Sequence, residues 1–400
     1  DTEIYMLPFY THTQPETAKA LLRYRWRMLD DARKNAKEMG RAGAFYPWTS
    51  SIHGRQGASA GWQEHVGSDI AYGIDWYVKA SGDRKFWLGE GAEIFLETAR
   101  YWESRVEWDS AKKAYVVRGL TGPDEIHQHI DNNEFTNYLA GWHLRRACEL
   151  VEELKNAGLW DKTSRKLRIG GGNICKWKEI GGAMFSNFSK ERGFHEQFEG
   201  YFKLPDKSID RKLSRMAYTG PVQASFRPTK VAQQADTVLM YWMFGEDFPD
   251  AVKRAGYRYY EPRCSHTSSL SRCIYSALAA QIGLVGEAYR QFIISLENDY
   301  AVGKEMESES GIHAACIGGT WLAAFTGFAG IWIRHGRLEV SPNLPSKWKS
   351  LSLKAKWRGM TVELQISKSK ISARVAERGR STPVWICGRE YALTNRLEIV

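Results

Sequence analysis

The sequence has 400 residues, of which 43% are hydrophobic, with a formal net charge of +10, and this length can bury a core for one large domain plus a smaller one. No apolar run approaches the roughly 20 residues of a membrane-spanning helix, and acidic and basic residues mostly interleave, so we expect neither a membrane nor a nucleic acid as partner. The six cysteines lie far apart without a CxxC pair, which argues against a zinc site or a dense disulfide framework and favours reduced thiols in a cytoplasmic protein.

The first part of the chain has the periodicity of helices. The sequence opens at Asp1 without an initiator Met or a signal peptide, so we expect a piece of a longer or processed protein. Pro15 suits the first position of a helix, apolar residues then recur every three or four positions, and Gly40 ends the pattern. Similar patterns lie at 66–80, 91–104, 134–156, 230–245, 271–296 and 312–328. Helices in series without intervening strands predict an all-α body over 1–330.

The pattern changes after Gly330. Apolar and polar residues alternate around 338–340, 351–357, 362–366 and 371–375, which is typical of strands. We therefore predict a small antiparallel β domain at 331–400. The segment 158–215 contains three consecutive glycines and many charges, and we interpret it as an irregular excursion between helices.

A dense polar cluster follows Pro123. Asp124 and Glu125 lie in a loop ahead of a predicted helix, and the next twelve residues include two His, an Asp and three Asn. One interpretation is a capped helix start, in which Asp and Asn side chains bind the first N–H groups. The other is a sugar site, because glycosidic cleavage needs a carboxylic acid to protonate the leaving oxygen. A metal site is not expected, since no HExxH-type spacing is present.

The order of motifs along the chain resembles glycoside hydrolase family 65. The segments that carry the resemblance include Asp1–Pro8, Gly122–His127, Asp131–Asn137, Gln234–Asp236, His266–Ser271 and Gly311–His313. The resemblance implies an (α/α)6 barrel followed by a C-terminal β domain. It also implies that the family's N-terminal β-sandwich and the first barrel helices are missing from this chain.

The resemblance also assigns roles to individual residues. Glu125 matches the general acid. The residues that match contacts to the non-reducing glucose are Asp1, Trp48, Gln233 and Gln234, of which Gln233 replaces the family's usual Lys. The residues that match the phosphate site of the family's phosphorylases are His266, Ser268, Ser269 and His313.

Two reactions fit this set of residues. An inverting phosphorylase uses phosphate as nucleophile and co-substrate, needs no other cofactor, and converts an α-linked glucose disaccharide to β-glucose 1-phosphate and a sugar. An inverting α-glucosidase instead needs a second carboxylate to activate water, and Glu305, Glu307 or Glu309 could serve as that base. We favour the phosphorylase because Gly311-Ile312-His313 is intact, although Ser310 stands where the family often has an acidic residue.

Two other interpretations stay open. The chain could bind carbohydrate without turning it over, or, much less in keeping with its charge pattern, bind nucleic acid. Since members of the family often dimerise, the resemblance also leaves a homodimer open.

Overall fold

The computed structural model describes residues 1–50, 54, 63–210, 221–298 and 311–399. Within these ranges the part of the chain up to residue 330 is mainly helical, as predicted. The α-helices are α1 (Leu7–Thr13), α2 (Pro15–Arg27), α3 (Leu29–Glu38), α4 (Val66–Ser81), α5 (Arg84–Phe86), α6 (Ala92–Arg105), α7 (Glu134–Asn156), α8 (Trp160–Leu167), α9 (Gly171–Gly182), α10 (Pro221–Ala224), α11 (Thr237–Met243), α12 (Asp250–Tyr260), α13 (Ser269–Gln281), α14 (Val285–Glu297) and α15 (Ala314–Leu322). π-helical turns lie at Thr2–Met6, Trp87–Gly91 and Ala323–Phe328.

Helix α7 shows why the periodic segments fold as predicted. Asn133 caps its start, because the Asn133 Oδ1 accepts a hydrogen bond from the backbone N–H of Thr136 at 2.9 Å. The helix ends just before Gly158, which has a φ of +68° that favours glycine. Apolar residues on one side of α7 are fully buried. The predicted range of 134–156 is therefore confirmed.

Three predicted segments differ from the structure. The segment 158–215 is not irregular throughout, because it contains α8, α9 and the hairpin of β3 (Phe188–Ser189) and β4 (Phe194–His195). The predicted helix 271–296 is two helices, because Gly283 takes a φ of +78° between α13 and α14. The predicted helix 230–245 is shorter, since only α11 is helical there.

The strands after residue 330 form two four-stranded sheets. A further small hairpin, β1 (Glu107–Asp109) with β2 (Ala114–Val116), precedes them in the chain. The later strands are β5 (Ile331–Arg334), β6 (Arg337–Val340), β7 (Ser350–Trp357), β8 (Met360–Ser367), β9 (Ile371–Val375), β10 (Thr382–Ile386), β11 (Arg389–Leu393) and β12 (Leu397–Ile399). One sheet has the order β11-β10-β6-β5 and the other β12-β9-β8-β7. The prediction of a purely antiparallel domain is corrected at one pair: β10 pairs parallel with β6, because the chain crosses to the second sheet and returns between them.

The β domain and the helical body share one hydrophobic core. Trp332 on β5 packs between Trp76 on α4 and Trp242 on α11, with ring centroids 5.7 and 5.6 Å apart. The backbone N–H of Arg358 also donates to the carbonyl of Ala80 at the end of α4, at 2.7 Å. The C-terminal ends of α4 and α11 therefore face the β domain, and their N-terminal ends point away from it.

Two observations concern the cellular setting of the chain. All six cysteines lie in the described residues, and none of them forms a disulfide. Among the helices of those residues, none combines the length and the apolar character that crossing a bilayer requires.

Candidate active site

Glu125 lies in a loop between β2 and α7 that is closed at its base. The backbones of Leu120 and Ile130 exchange two hydrogen bonds of 2.9 Å, which brings the two ends of the loop together. Asp124 is buried, whereas Glu125 is half-buried at the open side of the loop. The fold thus presents the Glu125 carboxyl to the space at the N-terminal end of α4.

Asp124 anchors this loop to its surroundings. Its Oδ1 accepts a hydrogen bond from the backbone N–H of Gln233 at 2.8 Å, and its Oδ2 accepts one from Gln197 Nε2 at 3.0 Å. His127 Nδ1 lies 2.6 Å from the same Oδ2. The side chain of Gln234 also donates to the carbonyl of Pro123. Gln233 and Gln234, predicted as sugar contacts, therefore lie next to Glu125 and hold its loop.

His127 carries a positive charge in this arrangement. Its Nδ1 faces the Asp124 carboxylate and its Nε2 lies 2.8 Å from the carbonyl of Thr229, so both ring nitrogens donate to acceptors. Burial alone would lower the pKa of His127, but the charge of Asp124 and these hydrogen bonds raise it above its usual value. The buried pair of Asp124 and His127 is thus an ion pair behind the acid.

The surroundings of Glu125 favour its protonated form. Burial raises the pKa of the Glu125 carboxyl above its ordinary value, and the negative charge of Asp124 adds to the rise. A hydrogen bond of 3.1 Å from Gln63 Nε2 to Glu125 Oε1 and the charge of His65 act in the opposite direction. A carboxyl that keeps its proton near neutral pH is what a general acid requires.

A second carboxyl with a raised pKa lies behind the loop. Burial raises the pKa of Asp236 to about 7, and the negative charge of Asp124 adds to this. Asp236 Oδ2 accepts from the backbone N–H of Asp124 at 3.3 Å, and the Asn133 side chain donates to both Asp236 oxygens at 3.0 Å. Asp236 is 3% exposed, so its contacts position the loop and do not reach solvent.

The predicted phosphate and glucose residues meet at one imidazole. His313 Nδ1 lies 2.5 Å from Ser269 Oγ, and His313 Nε2 lies 3.0 Å from Asp1 Oδ2. Since a carboxylate only accepts, Nε2 carries the proton that is donated to Asp1. His313 directly precedes α15 and Ser269 begins α13, so the N-terminal ends of two helices converge here.

The remaining predicted residues are placed as follows. Ser268 caps α13, with its Oγ accepting from the backbone N–H of Leu270 at 3.3 Å. His266 Nδ1 lies 2.8 Å from Ser271 Oγ in the first turn of the same helix. Trp48 is 44% exposed, and within the described residues no hydrogen bond or ring contact joins it to the others. Glu305, Glu307 and Glu309 lie outside the described residues.

A buried pair of a histidine and an aspartate at the start of α4 was not predicted from the motifs. His65 Nδ1 lies 2.5 Å from Asp69 Oδ2, and both side chains are buried. The charge of His65 acts on Glu125 and Asp236, which places the pair beside the acid. The i, i+4 spacing at a helix start was visible in the sequence, but it is equally typical of an ordinary helix contact.

In the described part of the chain, no group of three or more His, Cys, Asp or Glu residues could hold a metal ion.

Comparison with known proteins connects this geometry to a family. A model of the glycosyl hydrolase family 65 central catalytic domain matches residues 1–322, and one of the family's C-terminal domain matches residues 332–393. The chain is 36% identical over 415 residues to the kojibiose phosphorylase of Caldanaerobacter subterraneus subsp. tengcongensis, covering 98% of this chain and 54% of that protein. It is 33% identical over 385 residues to the alpha,alpha-trehalose phosphorylase of Thermoanaerobacter brockii, covering 93% and 49%.

A solved structure shows the same fold. A human-microbiome protein described as a kojibiose phosphorylase superimposes with a TM-score of 0.89 at 27% identity, covering all of this chain and 59% of that one. The chain spans about half the length of the curated relatives it matches. These matches confirm the predicted fold class and the resemblance that the motifs carried.

Proposed function

Because this chain belongs to glycosyl hydrolase family 65, we propose that it carries the catalytic site for inverting phosphorolysis of an α-linked glucose disaccharide. The products are β-glucose 1-phosphate and a free sugar, and inorganic phosphate is the co-substrate. One observation carries the proposal: His313 bonds both to Ser269, assigned to phosphate, and to Asp1, assigned to glucose. Anion and sugar are then held side by side, as attack of one on the other requires.

Glu125 is the general acid of the proposed reaction. Its half-buried position and the charge of Asp124 support this role, because both raise the pKa of Glu125 and so favour its protonated form. Gln63, Gln233 and Gln234 hold the acid or its loop in place. His127 and Asp236 fix the loop from the buried side.

The phosphate site lies where α13 and α15 begin. Helix N-termini present N–H groups and a positive dipole end that favour anions. The hydroxyl groups of Ser268 and Ser269 add side-chain donors at the same place, and the imidazole of His313 positions Ser269 through Nδ1. His266 lies three residues before the start of α13 and supports this segment through its contact with Ser271.

The bond changes balance without a second carboxylate. A phosphate oxygen attacks the anomeric carbon from the face opposite the leaving oxygen, so the new bond to carbon has the β configuration. The C–O bond to the second sugar breaks as Glu125 delivers its proton to that oxygen. The hydrogen carried by HPO4 2− then restores the Glu125 carboxyl by way of solvent. Phosphate therefore takes the place of the water and base that a hydrolase needs.

The proposal also includes the domain limits, the cellular location and the oligomeric state of the protein. We assign residues 1–330 to the catalytic body and 331–400 to the β domain, since the last helical turn ends at Phe328 and β5 begins at Ile331. A cytoplasmic location is supported by six cysteines without a disulfide. The homodimer stays a prediction, and light scattering on the purified protein tests it.

Phosphate dependence is the deciding experiment. Kojibiose, nigerose, maltose and trehalose are incubated with the protein with and without phosphate, and the products are identified by NMR of the anomeric protons. We expect β-glucose 1-phosphate from at least one disaccharide, with kojibiose the first to test because the relatives at 34–36% identity are named for it. Release of glucose alone at a rate independent of phosphate would contradict the proposal and favour a base among Glu305, Glu307 and Glu309.

A further inference from the structure

A cavity lies at the end of α4 and α11 that faces away from Glu125, next to the β domain. It has a volume of about 190 Å³ and is bounded by α4, α7, the segment after α11 and β5. Asp75 and Lys79, which line it, are ten and fourteen residues beyond His65. At 1.5 Å per helical residue these positions lie roughly 15–21 Å from the end of α4 that faces Glu125. The cavity is therefore separate from the catalytic site.

Aromatic rings form the floor of this cavity. The Trp142 ring lies 5.8 Å from that of Tyr72 and 5.6 Å from that of Phe244, between centroids. Trp76 and Trp332 pack beneath them with ring centroids 5.7 Å apart, and of these five rings only that of Trp142 is half-buried, so it is the one open to a ligand. A pyranose ring presents flat faces of C–H groups, which pack against aromatic faces and leave the hydroxyl groups to polar neighbours.

The rim carries polar groups whose hydrogen-bonding capacity is unused. Arg334 and Glu246 both line the cavity, but their closest N–O distance is 3.9 Å, and no hydrogen bond reaches either side chain from the described residues. His335 lies 3.5 Å from Glu246. The indole N–H of Trp142 likewise has no acceptor in those parts of the chain. A guanidinium, a carboxylate and an indole N–H supply both donors and acceptors, which vicinal hydroxyl groups require.

An amide without a partner lies behind the rim. Both the Oε1 and the Nε2 of Gln281 are buried without a hydrogen bond. A Cβ placed on Gly245, which lines the cavity, would be 3.4 Å from Gln281 Oε1 and 3.8 Å from Arg334 Nη2. The unpartnered amide therefore lies directly behind Gly245, within the wall of the cavity that Arg334 also helps to form.

We propose that this cavity is a second carbohydrate site that takes one neutral pyranose ring. Its volume is below the roughly 300–1,000 Å³ typical of pockets for larger ligands, so it suits a single ring. Asp75, Glu246 and Asp247 outnumber Lys79 and Arg334 at its walls, which disfavours a sugar phosphate. Glucose is the first sugar to test, and that choice alone rests on the proposed function.

Ligand-observed NMR tests the site with methyl β-D-glucopyranoside as probe. Saturation transfer is measured in an Asp1→Ala chain, so that binding at the catalytic end is weakened. We expect transfer to the probe, and a rise of about tenfold or more in its dissociation constant on Glu246→Gln or Arg334→Gln, because each removes a charged hydrogen-bonding group. Trp142→Phe, which keeps the ring and removes the N–H, is expected to weaken binding less.

Glu339→Gln is the matched control. Glu339 lies 3.8 Å from Arg334 outside the cavity, so this variant removes an ion pair of Arg334 and leaves the site intact. Equal affinity in Glu246→Gln, Arg334→Gln and the parent would overturn the proposal. Transfer to maltotriose without transfer to the methyl glucoside would overturn the single-ring assignment. Phosphorolysis is measured in parallel in proteins that retain Asp1, and its rate is expected to be unchanged by Glu246→Gln. Failure of the catalytic proposal would then be seen separately from failure of the second site.

Discussion

The imidazole of His313 lies 3.0 Å from the carboxylate of Asp1, although the two residues are 312 positions apart in the chain. The other nitrogen of the same ring lies 2.5 Å from Ser269 Oγ. A single side chain therefore links the start of α13, where we propose that phosphate binds, to Asp1, the proposed contact to glucose. Removing one partner of His313 should separate the two functions that it joins.

Ser269→Ala should weaken phosphate binding more than disaccharide binding. The variant removes a hydroxyl group at the start of α13 and leaves Asp1 in place. We expect the KM for phosphate to rise about tenfold, the value of one hydrogen bond to a charged group, with a smaller change in the KM for the disaccharide. Steady-state kinetics with each substrate varied measures both. Ser276→Ala on the same helix is the control, because the Ser276 hydroxyl donates to the backbone of Ala288; an equal effect there would contradict a direct role.

Glu125→Gln should abolish turnover while the protein stays folded. An amide of the same shape cannot deliver a proton, and general acids typically contribute about 10²–10⁴-fold to a rate. We therefore expect kcat to fall by at least about a hundredfold, measured as sugar released. Glu196→Gln is the comparison, because Glu196 also has a pKa raised by burial but binds the backbone N–H of Phe202. Retained activity in Glu125→Gln would disprove the assignment of the acid.

Gln63→Met should move the basic limb of the pH–rate profile to higher pH. In the proposed reaction, activity needs protonated Glu125 and is lost as the pH rises through the pKa of this carboxyl. Gln63 stabilises the carboxylate through its hydrogen bond and lowers that pKa. Losing the bond should therefore shift the limb to higher pH.

Gln128→Met is the control for this shift. Gln128 donates to the backbone carbonyl of Glu125 at 3.2 Å and not to its carboxyl. The basic limb of the pH–rate profile of Gln128→Met should therefore coincide with that of the parent. Titration of phosphate affects all variants equally and cancels in the comparison. A limb that moves to lower pH in Gln63→Met would show that the hydrogen bond acts on the acid in the opposite sense.

Glu134→Gln should make the free energy of unfolding depend less on pH. Burial raises the pKa of Glu134 from 4.5 to about 7, so the folded chain holds this proton more tightly than the unfolded chain. The contribution of this proton to the free energy of unfolding is fully present below about pH 4.5 and is lost by about pH 7. The free energy of unfolding changes by on the order of 3 kcal/mol over this range. Glutamine does not titrate, so the variant should gain about this much relative to the parent between the two pH values.

Urea unfolding at both ends of this pH window measures the difference. His195, 3.7 Å from Glu134, has a pKa lowered by burial to about 4, and because it is present in both proteins its contribution cancels in the difference. Asp236 has a similar pKa to Glu134 but is present in both proteins, so its contribution cancels. A free-energy difference that is constant with pH would contradict the raised pKa of Glu134.

The sequence predicted the helices whose ends carry a local signal. Asn133 and Gly158 mark the limits of α7, and Pro15 marks the start of α2. The break between α13 and α14 was missed because Ile282 and Leu284 continue the apolar pattern on both sides of Gly283. Only the left-handed backbone of that glycine ends the helix, and periodicity does not report it.

The candidate site was predictable where a motif exists and not elsewhere. Glu125 and His313 were identified through segments that resemble the family. The motifs assigned no role to His65 or Asp69, and the significance of this pair comes from the loop that brings Glu125 beside it. Aromatic content was a weak guide to sugar binding, because tryptophans such as Trp87 and Trp177 are fully buried in the core.

The tryptophan contact between the two domains has a consequence for cooperativity. Trp332 is enclosed by Trp76 and Trp242, so separating the β domain would expose three indole rings and the ends of two helices at once. Such a loss of buried apolar surface makes a state with only one domain folded unfavourable. The helices that end at this contact begin beside Glu125, so the surroundings of this carboxyl depend on a domain whose described residues make no contact with it.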